Sequence, residues 1–388
     1  MPGVAQGRID MKDDAAGPAE RDSGIELAET LHPRFYRDPE LFSLAKEALF
    51  PASWQFVSWR SQLKAPGHVI PVKVLEGFLD EPLVLTRDTA DDIYCLSNVC
   101  THRGNLLVEG ECHTTSMRCR YHGRRFASDG TMTSAPGFDG VADFPRQCDH
   151  LSRLRLRFWK ELGLCIPSPE EPLFDFDELI APLQSRLSWL PLQEFRHHPE
   201  LSRDYLVRAN WALYVENYLE GFHIPYVHPA LAGALDTQQY STELFDYASL
   251  QLGIAGSASE AFQLPSDSPD KGRFVAAYYF YLFPNLMLNF YPWGLSINVV
   301  VPLAVDLTRV RFISYIWKDE LLSTGAGADL DRVEREDEAI VENVQKGMAS
   351  RFYRAGRYAP DEEQGVYHFH RLLRSFLEPH AAGTAGEA

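Results

Sequence analysis

Positive charge is scarce in this 388-residue chain: 37 Lys and Arg face 54 Asp and Glu, a formal net charge of −17. No basic stripe and no run of lysines is present, which argues against nucleic acid as a partner, since its phosphates would be repelled. The acidic balance is compatible with a cationic substrate or a basic docking protein. Long hydrophobic runs are also missing. No apolar stretch reaches the roughly 20 residues that cross a bilayer, so no membrane association is expected. The first 24 residues (MPGVAQGRIDMKDDAAGPAERDSG) lack the apolar core of a secretory signal. They read as a mobile tail, and cytoplasmic residence is the expectation. Cysteine is sparse: Cys95, Cys100, Cys112, Cys119, Cys148 and Cys165. Six thiols could form three disulfides, but in a cytosolic chain of this size reduced or metal-bound cysteine is expected.

With 45% apolar and 23% charged residues, the chain has the composition of a globular protein long enough for two domains. Residues 25–50 carry a helical pattern, with Asp38-Pro39-Glu40 as a helix start. From about residue 51 to 168 short alternating segments take over, such as Gly67–Val74 and Pro82–Arg87, separated by Gly, Asp and Pro turns. This pattern predicts a small antiparallel β domain. Pro167, Pro169 and Pro172 mark the join to a second domain over 169–380, followed by an Ala/Gly-rich flexible end at 381–388. In that second domain, Val275–Leu303 and Val310–Trp317 read as strands and Asp331–Met348 as a strong helix. The class is therefore α+β.

Two motifs carry chemistry. Cys100-Thr-His102 and, sixteen residues on, Cys119-Arg-Tyr-His122-Gly123 fall in loops of the β domain. Each loop offers one thiolate and one imidazole, which suits a [2Fe–2S] cluster held by two cysteines on one iron and two histidines on the other, the Rieske arrangement. A structural zinc site is the rival, although zinc fingers pair their cysteines and histidines differently. Arg103-Gly104 and Gly123 would let backbone N–H groups reach the sulfurs. Cys112-His113 is an adjacent pair with divergent side chains and is assigned no role.

The second motif is Asn217-Tyr-Leu-Glu220-Gly-Phe-His223-Ile-Pro-Tyr-Val-His228. Asn217, Glu220 and His223 recur every three residues and are expected on one helix face. A helix ending near Ile224 and then turning would bring both imidazoles to one point. On the later helix, Val333, Ile340, Val341, Val344 and Met348 span an arc of roughly 100° with Asp337 near its middle, whereas Glu338 and Glu342 point to solvent. A carboxylate on a core face needs a metal or an ion-pair partner. Two histidines and an aspartate would make the facial triad of non-haem Fe(II) oxygenases. A buried salt bridge from Asp337 to an arginine is the alternative. Glu220 is expected to accept the free N–H of His223 and fix that ring.

These motifs, in this order, resemble the catalytic α subunit of Rieske non-haem iron oxygenases over about residues 35–375. The resemblance implies an antiparallel-β Rieske domain followed by a helix-grip (START-like) catalytic domain. Cys100, His102, Cys119 and His122 would bind the cluster, and His223, His228 and Asp337 the mononuclear Fe(II). It further implies a small-molecule substrate, O2, and electrons from NADH or NADPH through a separate flavin/iron–sulfur reductase or ferredoxin. A head-to-tail homotrimer is implied too, in which electrons pass from His122 of one protomer through an acid to His223 of the next. The family's acid is usually Asp. Glu220 is one methylene longer, as in the carnitine-type oxygenases, so either the helix stands back or the carboxylate bends back.

Tyr281–Trp293, Glu342–Gly347, Gly356-Arg-Tyr and His368-Phe-His370 are similar to the choline monooxygenase branch, which oxidises quaternary ammonium compounds. Tyr279, Tyr281, Phe290, Tyr291 and Trp293 are candidates for an aromatic cage around such a cation, with ordinary core as the alternative. His368 and His370 are expected to be packing residues. Oxidation at a carbon attached to nitrogen is the leading expectation. Hydroxylation or O-demethylation of an aromatic or alicyclic acid is the alternative, and a non-catalytic redox or ligand-binding module a third reading. A cationic cage would favour the first, an arginine in the pocket the second, and a triad member failing to reach the metal the third.

Overall fold

The computed structural model describes residues 24–383, so the expected N-terminal tail, except Gly24, and residues 384–388 lie outside the described residues. Two compact units emerge: one spans Phe50–Phe176, and the other joins the residues up to Leu49 to those from Asp177 onward. The division falls several residues beyond the proline-rich join. Leu173 N–H donates to Ala52 O, Trp54 Nε1–H donates to Phe174 O, and the Phe176 ring packs edge-on against Trp54. These contacts keep the proline segment with the β unit.

The first unit is built from short strands: β1 (Gln55–Trp59), β2 (His68–Val74), β3 (Glu81–Arg87), β4 (Ile93–Ser97), β5 (Cys112–His113), β6 (Ser116–Arg118), β7 (Arg125–Ala127), β8 (Met132–Ser134), β9 (Arg153–Leu154), β10 (Leu156–Trp159) and β11 (Leu162–Cys165). They pair antiparallel in three sheets, ordered β1-β11-β10, β5-β2-β3-β4-β9 and β6-β7-β8. Val69, Val84, Leu96, Met117, Phe126 and Leu151 form a core that also takes in Cys100 and Cys119. The two motif loops are thereby anchored by their cysteines.

In the second unit, residues 25–37 form turns rather than the expected helix. Pro33 disfavours helical geometry at His32, and helix begins only at α1 (Pro39–Leu44), where the Asp38 side chain caps Glu40 N–H at 2.8 Å. After α2 (Phe176–Leu187) come β12 (Arg196–His197), β13 (Arg203–Val207), α3 (Trp211–Tyr218), α4 (Ile224–Val227), α5 (Pro229–Ala234), β14 (Ser241–Phe245), β15 (Ala248–Ile254), β16 (Val275–Leu282), β17 (Leu286–Tyr291), β18 (Gly294–Ala304), β19 (Leu307–Ile316), α6 (Leu330–Gly347) and α7 (Gln364–Gly383). The helix α7 thus takes in residues 381–383 of the expected flexible end.

The strands form one antiparallel sheet, β19-β18-β17-β16-β15-β14, with β12 and β13 both pairing with β19. β15 to β17 and most of β18 are buried on both faces, whereas β19 alternates. One face is apolar, with Leu250, Phe280, Leu288 and Ile297 opposite one another. The other carries Gln251, Tyr279, Asn289 and Ser296 in register. Over this polar face α7 runs about 30 Å, with its buried Phe369 against Tyr281, Phe283 and Trp211. The helices α3 and α6 pack together and cover the rest, enclosing a cavity.

Candidate active site

The two cluster loops are built alike. Gly104 N–H closes onto Cys100 O at 3.0 Å while Cys100 N–H donates to Asn105 O at 2.9 Å. Gly123 N–H closes onto Cys119 O at 3.0 Å while Cys119 N–H donates to Arg124 O at 2.8 Å. Both glycines sit at positive φ, +69° and +78°, where a side chain would strain the turn. Each turn aims backbone N–H groups at a sulfur: His102 N–H at Cys100, and Tyr121 and His122 N–H at Cys119. Burial raises the Cys100 thiol pKa. At Cys119 burial acts the same way but is outweighed by its hydrogen bonds, which hold the thiol below its ordinary value. The cysteines are buried, His102 is half-buried and His122 exposed, with ring centroids 4.7 Å apart.

Arg124, which the sequence reading passed over, is buried beneath the Phe138 and Phe144 rings and donates to Thr101 Oγ1 at 2.8 Å, tying one loop to the other. A single zinc would draw its donors to within about 4 Å of each other, given metal–ligand lengths of about 2.0–2.3 Å. Among the described residues the set of three or more metal-type side chains gathered within 4.8 Å is a different one, His223, His228 and Asp337. The loop quartet, with two buried thiols and two outer imidazoles, fits a two-iron cluster better than one tetrahedral ion.

Around the second motif the local structure departs from expectation. The helix α3 ends at Tyr218, so Asn217, Glu220 and His223 do not share a helix face. Glu220 lies in the following turn, and the two histidines flank the four-residue helix α4, which Pro225 starts rather than ends. His228 Nε2 is 2.9 Å and His223 Nε2 3.4 Å from the same oxygen of Asp337, which also accepts Asn217 Nδ2–H at 2.8 Å. Among the described residues, the ion-pair partners of Asp337 are these imidazoles and not an arginine.

Each imidazole turns its other nitrogen to a carboxylate. His223 Nδ1 is 2.7 Å from Glu220 Oε1, and His223 N–H donates to Glu220 Oε2 at 3.0 Å, so the longer acid bends back onto His223. His228 Nδ1 is 2.8 Å from Glu336 Oε2, a partner the sequence reading missed. Burial pulls the His223 pKa down, but Asp337 and Glu220 outweigh it and push it up to about 9. Burial would raise Asp337, yet the two imidazoles hold its carboxyl below the usual range. Two imidazole Nε2 atoms and a carboxylate converge while both Nδ1 atoms are engaged behind them, a donor set that fits a divalent iron with open positions.

The helix α6 is turned differently from the apolar-arc reading. Ile340 and Val344 are each 39% exposed, while Glu334, Asp337, Val341 and Met348 face inward. Glu338 is largely covered rather than solvent-facing. The cavity beside the triad measures about 110 Å³ and takes Tyr218, Tyr240, Tyr279, Tyr291, Gln251 and Asn289 into its wall. Of the candidate cage, only Tyr279 and Tyr291 line it. Phe290 lies on the opposite sheet face, in register with Tyr278. Tyr281 donates to Pro284 O under α7, and Trp293 stacks behind Tyr291 at 5.1 Å. Tyr218 and Tyr240 replace them, their hydroxyls donating to Asn289 Oδ1 (2.8 Å) and Gln251 Oε1 (3.1 Å). The signal for these wall residues was an amide or hydroxyl at every second position of an otherwise apolar strand, as in Ser296 and Asn298 of β18. His370 is buried between Tyr358 and Glu216, and neither it nor His368 lines the cavity.

Known proteins share this organisation. Residues 53–145 match the Rieske [2Fe-2S] domain, and residues 189–379 match the ring hydroxylating alpha subunit (catalytic domain). The chloroplastic choline monooxygenase of Arabidopsis thaliana is 30% identical over 367 residues, covering 91% of this chain and 84% of its own. The carnitine monooxygenase oxygenase subunit of Escherichia coli (strain K12) is 29% identical, over 89% of this chain and 92% of its own. A solved structure of the quaternary ammonium Rieske monooxygenase CntA has the same fold, with a TM-score of 0.73 at 24% identity over 91% of this chain and 96% of that one. With both donor sets present on that fold, the chain belongs to the Rieske non-haem iron oxygenases, O2-incorporating oxidoreductases, as an α subunit of the choline and carnitine monooxygenase branch.

Proposed function

We propose that this oxygenase oxidises a quaternary ammonium compound without a carboxylate, of the choline type, at a carbon attached to nitrogen. One observation carries the choice: among the described residues lining the cavity there is no Arg and no Lys, while Glu220, Glu334 and Asp337 and four tyrosines besides Tyr214 are present. A carboxylate substrate would enter an acidic pocket unpaired, at a high desolvation cost. A trimethylammonium group meets aromatic faces and acids that attract it. The same composition disfavours an aromatic or alicyclic acid. Convergence of all three triad side chains disfavours a non-catalytic module.

Cys100, His102, Cys119 and His122 would hold the cluster, and His223, His228 and Asp337 the iron. When bound, these groups supply electron storage and O2 activation. The chain's own part is to hold Asp337 through Asn217, orient His223 through Glu220 and His228 through Glu336, and seat the substrate against Tyr279 and Tyr291. Overall, a C–H bond, O2, two electrons and two protons give a C–OH group and water. At a carbon bonded to nitrogen, the product then sheds an aldehyde and leaves a dealkylated amine. The electrons come from NADH or NADPH through a separate reductase or ferredoxin.

We infer a homotrimer in the cytoplasm, with electrons crossing from His122 of one protomer through Glu220 to His223 of the next. The exposure of Tyr121 and His122, and of Phe222 and Tyr226 beside Glu220, supports this reading by giving each chain a donor and an acceptor surface. No described helix is long and apolar enough to cross a membrane.

The test is a single turnover of reduced protein with O2 and a panel of quaternary ammonium compounds and aromatic acids, scored by mass spectrometry. Formaldehyde with a demethylated amine is the expected product. Betaine aldehyde from choline would keep the substrate class but move the oxidised carbon. A hydroxylated or O-demethylated acid would overturn the proposal.

A further inference from the structure

The three carboxylates in the cavity wall are not equivalent. Glu220 is committed to His223, and Asp337 to both histidines and Asn217. Glu334, one turn before Asp337 on α6, touches neither histidine. It is 3% exposed, and its Oε2 accepts the Tyr214 hydroxyl at 2.7 Å. Its Oε1 is buried, and among the described residues no donor reaches it. Arg335, the next residue on α6, is directed to solvent and to Asp331 and Glu338. A carboxyl group kept half-satisfied in a buried wall is costly unless something else completes it. Packing alone would be served as well by Gln, whose amide has the same shape and no charge to desolvate.

We propose that Glu334 is the specificity-determining anion of this pocket, the carboxyl group that faces the quaternary ammonium head of the substrate. The inference rests on the substrate class proposed above and deepens it. A quaternary ammonium donates no hydrogen bond, so its recognition needs charge and aromatic faces rather than directed donors. The tyrosine walls supply the faces, and Glu334 supplies a charge not spent on the metal ligands. Burial, reinforced by the nearby Asp337 and Glu338, raises its pKa well above the usual carboxylate range, while the Tyr214 bond opposes this. A cation placed beside the group opposes that shift and favours the ionised form, the proton leaving to solvent.

The experiment compares choline with its uncharged isostere 3,3-dimethylbutan-1-ol, by calorimetry on anaerobic protein loaded with cluster and iron. Wild type is expected to prefer choline by about tenfold or more, since a unit charge within a few ångströms of a buried carboxylate feels a reduced dielectric. Glu334→Gln should lose that preference by weakening choline binding alone, leaving the isostere's affinity unchanged. Glu334→Asp, which keeps the charge, should retain it. Cluster absorbance and iron content confirm that each variant is folded and loaded. A Glu334→Gln protein that still prefers choline overturns the inference while the substrate class stands. A wild type with no preference for the cation overturns both.

Discussion

Glu336→Ala should loosen the iron yet spare the chemistry, while Glu220→Ala should impair both. The two acids hold the two imidazoles through the same kind of bond, 2.8 Å to His228 Nδ1 and 2.7 Å to His223 Nδ1. Removing such an outer carboxylate costs about 10- to 100-fold in metal affinity, or about 1.4–2.7 kcal/mol. The structure ranks the pair. Glu336 is 26% exposed and shares its charge with Arg332 at 3.0 Å, so water can replace part of what it supplies. Glu220 is 13% exposed and spends both oxygens on His223. Loss of Glu336 belongs at the tenfold end and loss of Glu220 nearer a hundredfold. Anaerobic Fe(II) titration against a chromogenic chelator gives the affinities, and single turnover at saturating iron separates metal retention from electron delivery. At saturation Glu336→Ala should turn over nearly as wild type does. Glu220→Ala should keep both centres and lose turnover, because the inter-subunit path is cut. Unchanged iron affinity in Glu336→Ala would refute the orienting argument, since packing alone would then fix His228. Normal turnover in Glu220→Ala would refute the bridging role.

Other outcomes follow from the same contacts. In the metal-free protein, His223 has a pKa of about 9 against an ordinary 6.5. A raised folded pKa gives stability that is fully present below pH 6.5 and lost as pH climbs through 9. At 1.36 kcal/mol per unit this is about 3 kcal/mol. Urea midpoints of metal-free wild type should exceed those of His223→Gln at pH 6 and converge with them above pH 9, and parallel curves would contradict this. Tyr214→Phe strips the Glu334 carboxyl of its one protein donor and should cost about 1–3 kcal/mol by urea unfolding, whereas an unchanged midpoint would mean the bond is not made. Cys119→Ser should abolish the visible absorption of the cluster while leaving iron on His223, His228 and Asp337, because the two donor sets belong to different units. Joint loss of both metals would show that one centre's folding depends on the other.

The proposed metal donors were legible because their chemistry is written locally: each cluster loop carries its cysteine, histidine and glycine within five residues, and the two proposed iron histidines lie five apart. Asp337 was found by helical periodicity, but for an imperfect reason. At 100° per residue, the inward positions Glu334, Asp337, Val341, Gln345 and Met348 centre roughly 50° from the apolar positions that were used. The inward face of α6 meets histidines, Tyr214 and the backbone at Asn210, so its contact residues are polar and the hydrophobic pattern points beside them. Glu334 was hidden for that reason, whereas Glu336 lies about 140° from that centre and reaches His228 from a flank where an acid reads as solvent-facing. The aromatic wall was misjudged differently. Tyr279 and Phe290 are both aromatic and neither is exposed, and only the β16–β17 register assigns them to opposite faces. Burial of β17 on both sides erases the alternation that would have separated them.

Charge gives an independent reason to look for a cation in this pocket. Glu220, Glu336 and Asp337 are the acids that engage the triad histidines, and a divalent metal with neutral imidazoles offsets two of their three charges. Arg332 pairs with Glu336 at 3.0 Å and offsets the third, so among the described wall residues Glu334 is the acid left without a charged partner. A carboxylate substrate would increase this excess in a site of low dielectric, whereas a quaternary ammonium would cancel it. The pocket is therefore electrostatically incomplete in the one way that the proposed substrate completes. A metal-loaded protein that bound an aromatic acid as tightly as choline would show that this charge count omits a cation close to the cavity.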